Sequence, residues 1–461
     1  MPGIADSDPG IRDDFVDPRR PPAGEFGFGL SGPFSLALTG DCIPSHPITP
    51  FPEGVAGFAE VMDLLGSADV ACGNLETSIF DIASFKGHPY CWDDDVPLLA
   101  SPATARDLAA LGFDMLARAN NHALDWGLEG MRETSRLLDA AGIAHAGVGE
   151  NLGLARRATY VEIPQGRIAM LSVATTFRPT TEALDPHNAT PGRPGLSAIR
   201  LRQIDVVTPD ELVLLRQLAA KSDAGNTDVL KLFGRSFEAG PSRGFRHEPD
   251  AGDMAAFVKE VRHAKQNADF VILMVHAHEF ARDGYPEPPS AVLKKIAHAA
   301  IEAGAGTVSV SGLHHLGPVD LYQGRPIFYG LGNFIWGDIQ EFLPSETWKQ
   351  NADLLKAAFA SPDRATAADL NAAVNAGYFA HQEIFETILP IIRFDGSFVE
   401  AVLHPVDLGY GDALTRSGIP RLAGPEQAAR ILRRIRDVSE EFGCTHRIDI
   451  EDDVGLLRAE P

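Results

Sequence analysis

The 461-residue chain lacks the features of a membrane, nucleic-acid-binding or disulfide-stapled protein. No apolar run approaches the roughly 18 residues of a membrane span. The amino-terminal MPGIADSDPGIRDDFVDPRRPPAGEFG has no apolar h-region. No secretory signal is therefore expected, and the cytoplasm is the expected compartment. Cys42, Cys72, Cys91 and Cys444 are too scattered for a zinc motif and too few for a disulfide framework. Basic charge is scarce: 40 Lys and Arg face 63 Asp and Glu, a net charge of −23. That balance repels nucleic acid and anionic membrane surfaces, so neither nucleic acid nor membrane insertion is expected. It favours cations, although acidic balance also serves solubility.

What is present is 44% apolar residues, enough for a large core. Short Val-, Ile- and Leu-rich runs alternate with helical patterns, which predicts a layered α/β domain. FSLALTGD (34–41), ADVACGNLE (68–76), GFDMLARANNH (112–122), ADFVILMVHAHE (268–279) and GTVSVSGLHH (306–315) each run from an apolar strand into polar residues. The stretches 158–176 and 387–408 predict antiparallel hairpins turning at Gln165-Gly166 and Asp395-Gly396. Helical patterns lie between the strands, one of them stopped by Gly142 as a C-cap. Parallel strands mixed with hairpins predict an α/β sandwich of two mixed sheets flanked by helices. Residues 1–30 are expected as a disordered acidic arm, 31–410 as the catalytic domain and 411–461 as a helical extension. Two insertions are expected, a loop-rich one around a single helix at 178–250 and a helical one at 338–385; such decorations cover or shape sites.

Ligands of open α/β sheets bind outside the carboxyl ends of the strands. Here those ends carry Asp41, then Asn74 with Glu76, then Asn121 with His122 and Asp125, then His276 with His278 and Glu279, and finally His314 with His315. Singly, Asp41 could be a helix cap, Asn121 a turn residue and His276 a satisfied core histidine. Together, oxygen and imidazole groups from separate strands are what a divalent cation needs. His122 and Asp125 sit three apart, so the carboxylate could orient the ring. His276 and His278, at i and i+2, face one side of an extended backbone.

The motifs LTGDCIP, ADVACGNLETSIF, GFDMLARANNHALDWGLEG, GIAHAGVGEN, VHAHEF and VDLYQGRPIFYGLGNFIW, in this order over residues 34–336, resemble the CapA family. These are poly-γ-glutamate synthesis proteins with a calcineurin-like metallophosphatase fold. The resemblance implies that Asp41, Glu76, Asn121, His122, His276 and His314 surround a metal centre. The chain departs from the pattern at Ile43 and Gly312, which stand where histidines are expected, and HAH replaces HWG, adding His278.

A two-metal phosphoesterase needs ligands for two cations ~3.5–4 Å apart. With two histidines missing, one oxygen-rich site for Ca, Mn or Mg, with Zn or Fe as alternatives, is the expectation. Asp41, Glu76, Asn121, His276 and His314 are its expected ligands. Spare histidines beside a cation suit proton transfer at an amino-acid Cα. The resemblance extends to cytosolic Cα epimerases of ribosomal-peptide pathways, including lasso peptides. The expected function is thus a metal-dependent peptide epimerase. His122 with Asp125 and His278 with Asp320 are its expected acid/base pairs, and His276 lies beside them. The insertions would form the peptide groove, with Arg118 or Arg246 meeting its carboxylate, unless these arginines are ordinary surface charges. The alternatives are a metallophosphoesterase, a poly-γ-glutamate biosynthesis factor, or a non-catalytic module binding a carboxylate polymer.

Overall fold

The computed structural model describes residues 29–50, 54–90, 96–219, 228–280, 289–337, 340–444 and 446–459. Most of the expected amino-terminal arm and Cys91 lie outside the described residues. Cys42, Cys72 and Cys444 are free thiols. No helix among the described residues is long and apolar enough to cross a membrane.

Two mixed sheets form the body. The larger runs Ile448–Glu451, Val454–Arg458, Phe398–Asp407, Glu386–Phe394, Phe34–Ile43, Val70–Leu75, Met115–Ala117 and Ala144–Ala146. Asn333–Trp336 pairs in parallel with the end of Phe34–Ile43. The second sheet runs Val319–Tyr322, Arg325–Phe328, Thr307–Ser311, Phe270–His276, Gly166–Ala174 and Thr159–Ile163.

Strand periodicity explains how the sheets stack. Successive side chains point to opposite faces. Phe34, Leu36 and Leu38 therefore share one buried core with Ile168, Met170, Ile272 and Met274 of the other sheet. The intervening Ala37 joins a second core with Val61, Leu108 and Leu138 of the helices covering the larger sheet. Val271, Leu273 and Val275 do the same with Val261 and Ile296 of the helices over the smaller sheet. Strands buried on both faces read as continuous apolar runs, as these do. The result is the two-sheet α/β sandwich expected from the sequence. Gly142 caps helix Gly127–Ala141 in the left-handed conformation, φ 79°.

Three expectations change. The 178–250 insertion is not loops around one helix: Leu201–Val207, Leu230–Leu232, Arg235–Ala239 and Gly244–Pro249 form a separate four-stranded sheet beside helix Pro209–Ala219. Its strands bury few side chains, so they carry no apolar run for the eye to find. The carboxyl-terminal stretch is not only helical. Helix Pro425–Glu441 packs Ile431, Leu432 and Ile435 into the inter-sheet core, and two further strands extend the larger sheet. The first hairpin pairs Ile163 with Gly166, so Pro164 and Gln165 form its turn, one residue earlier than expected. Residues 340–385 contain helices Ser345–Gln350, Ala352–Ala358 and Ala367–Val374.

Candidate metal and acid/base site

The parallel strands end together, and register places their last residues side by side: Asp41 opposite Asn74 and Asn333, Asn74 opposite Ala117, and His276 opposite Ser311. His276 has the parity of Ile272 and Met274, so its ring enters the space between the sheets. Asp41 has the parity of Ala37, which faces the helices. Strand pairing is irregular on both sides of Asp41, and such bulges re-aim a side chain. The bulge turns the Asp41 carboxylate toward His276, which it meets at 3.8 Å.

Fully buried, Asp41 accepts from Asn74 Nδ2 and from the Gly312 N–H, both at 2.8 Å. Asn74 is held by Asn120, whose Nδ2 donates to Asn74 Oδ1 at 3.1 Å and to the Leu75 carbonyl at 2.8 Å. His314, in the left-handed region at φ 56°, sits 3.5 Å from Asp41 Oδ2 and 2.9 Å from Asn333 Oδ1.

Three polar atoms converge on His276 Nε2: Asn121 Oδ1 at 2.8 Å, His278 Nε2 at 3.0 Å and Glu76 Oε1 at 3.4 Å. On the other ring nitrogen, the Ser311 hydroxyl at 3.1 Å and Asn74 Nδ2 at 3.3 Å are available donors. Burial, followed by the neighbouring His278, His314 and His122, holds the imidazole well below its ordinary pKa, so the ring is neutral. A point where carboxylate, amide and imidazole lone pairs converge is one where a positive charge belongs.

The side chains fall into two groups that suit a divalent cation. Ligand atoms of Glu76, His276 and His278 lie within 4.8 Å of one another, as do those of Asp41, Glu76 and His314. Asn121 stands beside the first group through its contact with His276. The residues present therefore fit a divalent ion.

His122 stands apart from both groups. Its Nδ1 lies 2.7 Å from Asp125 Oδ2, and Asp125 is fully buried. The same carboxylate accepts the Leu98 N–H at 2.8 Å and meets Arg178 Nη1 at 3.1 Å. With an ionised Asp125, Nδ1 carries the proton and Nε2 is left as the base. His278 is fixed through its backbone: its N–H donates to Thr176 Oγ1 at 2.8 Å, and Thr176 donates to Glu279 at 2.7 Å. Burial raises the Glu279 carboxyl above its ordinary pKa.

Three expected site residues are placed elsewhere. Asp320 is not the partner of His278: it pairs with Ile327, accepts the Leu321 N–H and faces His446 at 3.8 Å. Arg118 is fully buried, donates to Ser135 and the Met131 carbonyl, and is pushed down to about 10 by desolvation. It is structural. Arg246 belongs to the separate four-stranded sheet, where Glu238 closes on it with two contacts of 2.7 Å. Arg178, Asn333 and Ser311 were missed as site residues, whereas Glu279 stands at the strand end where the sequence placed it. Asn333 sits in the GLGNF motif, but nothing local marks Arg178, which reaches Asp125 only through the fold.

Gly312 explains the missing family histidine. Its φ is +96°, and a Cβ there would lie 2.7 Å from the Ala277 carbonyl, 2.9 Å from His278 Cδ2 and 3.0 Å from His276 Cε1. The His276–His278 pair thus occupies the space a side chain at 312 would need. Gly312→Ala is expected to cost about 1–3 kcal/mol in backbone strain alone and to push the two imidazoles apart. Thermal unfolding checks this, and a wild-type melting temperature would contradict it.

Fold and site together define an α/β sandwich bearing a carboxylate–histidine centre at its strand ends. The sequence model described as "Bacterial capsule synthesis protein PGA_cap" matches residues 35–338, and the chain belongs to that family. It is 38% identical over 441 residues to an uncharacterized protein of Sinorhizobium fredii, covering 92% of this chain and 93% of that one. A capsule biosynthesis protein CapA of Bacillus anthracis is 26% identical, over 60% of this chain and 53% of its own length. A probable polyglutamine synthesis accessory protein of Mycobacterium tuberculosis is 29% identical, over 58% and 56%. The chain thus spans about half the length of these last two. A 5'-nucleotidase precursor from Thermus thermophilus aligns with a TM-score of 0.34 and 12% identity, over 90% of this chain and 60% of that one.

Proposed function

We propose that this protein is a cytoplasmic, metal-supported acid/base enzyme that inverts an amino-acid Cα in a ribosomally made, lasso-type peptide. The observation that carries this reading is the provision of two imidazoles beside one cation-friendly cluster: His122, oriented by Asp125, and His278, held against His276. Inversion needs one group to take the Cα proton and another to return a proton to the opposite face. His122 Nε2 is the first candidate, because Asp125 fixes its tautomer and stabilises the imidazolium it becomes. His278 is the second. Asp41, Glu76 and His314, with His276 and Asn121 beside them, would hold a divalent ion, which would supply positive charge to stabilise the enolate-like anion. Both groups contain imidazole nitrogen, which suits Mn, Zn or Fe better than the all-oxygen preference of Ca or Mg.

A second reading has an observation of its own. The two ligand groups share Glu76, an arrangement suited to a pair of ions and hence to phosphoester hydrolysis. It also accords with relatives named for capsule and polyglutamine synthesis.

One experiment separates them. The protein is incubated in deuterated water with a lasso-type precursor peptide, and in parallel with an aryl phosphate. The first reading expects deuterium at a single Cα, appearing as stereochemistry is lost, with negligible phosphate release. Robust phosphate release abolished by His276→Ala, without Cα labelling, would establish the second.

A further inference from the structure

A cavity of about 450 Å³ adjoins two of the elements that build the site. Ser45 and His46, which follow strand Phe34–Ile43, line one part of it. Leu99 lines another, next in sequence to Leu98, whose N–H holds Asp125. Phe80 and Ile82 add apolar wall, and the exposed Phe342 adds an aromatic edge from the 338–385 insertion. The volume falls within the roughly 300–1,000 Å³ of small-ligand pockets.

Gln340, also in this wall, is only 4% exposed. Its Oε1 accepts the Leu99 N–H at 3.1 Å, which sets the orientation of the amide. Its Nε2 has no hydrogen-bond partner among the described residues. A buried donor left unmade is unfavourable, and an arriving carbonyl oxygen would satisfy it. Asp81 and Glu341 line the same cavity and are exposed, so an anionic ligand is repelled where a neutral one is not.

We propose that this cavity is the subsite for one large apolar or aromatic residue of the peptide substrate, whose main-chain carbonyl accepts from Gln340 Nε2. The inference rests on the peptide reading above and adds the class of residue taken. It excludes a glutamyl side chain from this position.

The test is calorimetric titration of the full-length protein with N-acetyl-L-tryptophanamide, N-acetyl-L-phenylalaninamide and the α-amide of N-acetyl-L-glutamate. Ser101→Trp fills the cavity from an exposed lining position, while Gln340→Glu keeps the acceptor for Leu99 but removes the donor. The aromatic amides are expected to bind the wild type and to weaken at least tenfold in each variant, with melting temperatures matched. The glutamyl probe is expected not to bind. Absence of saturable aromatic binding, wild-type affinity retained in both variants, or equally tight glutamyl binding would overturn the subsite. The two readings fail separately. Loss of the Cα-labelling result with this binding pattern intact removes the epimerase alone, whereas labelling that survives both variants at wild-type rate removes the subsite alone.

Discussion

His122→Ala is expected to lower Cα inversion by about 10²–10⁴-fold, the usual share of one positioned acid/base group, without lowering the melting temperature. The second half of that expectation follows from the packing. Asp125 keeps the Leu98 N–H and Arg178 when the imidazole is removed, so no buried charge is orphaned. Asp125→Asn differs. It retains the shape of the side chain but loses the charge that orients His122 and balances Arg178, a residue only 8% exposed. Turnover is expected to fall by about 10³–10⁴-fold, and breaking the buried ion pair is expected to destabilise the fold by roughly 3–5 kcal/mol. His278→Ala completes the set: inversion is lost, while one of the two histidine variants still exchanges deuterium with retention from the surviving base. Chiral amino-acid analysis with mass spectrometry reads both quantities. Inversion at wild-type rate in both histidine variants would make these rings structural and end the acid/base assignment.

These residues also show how far the amino-acid sequence carries. Asp41, Glu76, Asn121, His276 and His314 stand at the ends of apolar strands, and the fold brings those ends together because the strands run parallel. The His122–Asp125 contact is local, three residues apart, and needs no tertiary information. Asp320 failed for the opposite reason. Its supposed partnership with His278 required knowing which strand lies next to which, and among the described residues strand Val319–Tyr322 pairs only with Arg325–Phe328 at the edge of the smaller sheet. Arg118 failed because a charged residue next to a motif invites a functional role, whereas this one is buried beneath helix Gly127–Ala141. Arg178 was invisible because its contact with Asp125 spans more than fifty residues. The bulge at Asp41 is likewise a property of three strands at once, and no pattern within one of them announces it.

Metal content is expected to depend on these side chains in a way that tells the two readings apart. Glu76 is common to both candidate groups, so Glu76→Gln, which keeps the volume and removes the charge, is expected to empty the site whichever reading holds. Asp41→Asn removes a carboxylate from one group only, and His278→Ala removes an imidazole from the other only. If His278 serves as a base, its lone pair is not committed to an ion. The wild type should then carry about one divalent ion per chain, lost in Asp41→Asn and retained in His278→Ala. Loss even of a residue that only hydrogen-bonds a ligand typically costs about 10–100-fold in metal affinity, so dialysis against a weak chelator before elemental analysis gives the contrast. Two tightly held ions in the wild type, falling to one in His278→Ala, would make His278 a ligand. The second base of the inversion mechanism would then be gone, and the shared Glu76 would bridge a binuclear hydrolytic centre.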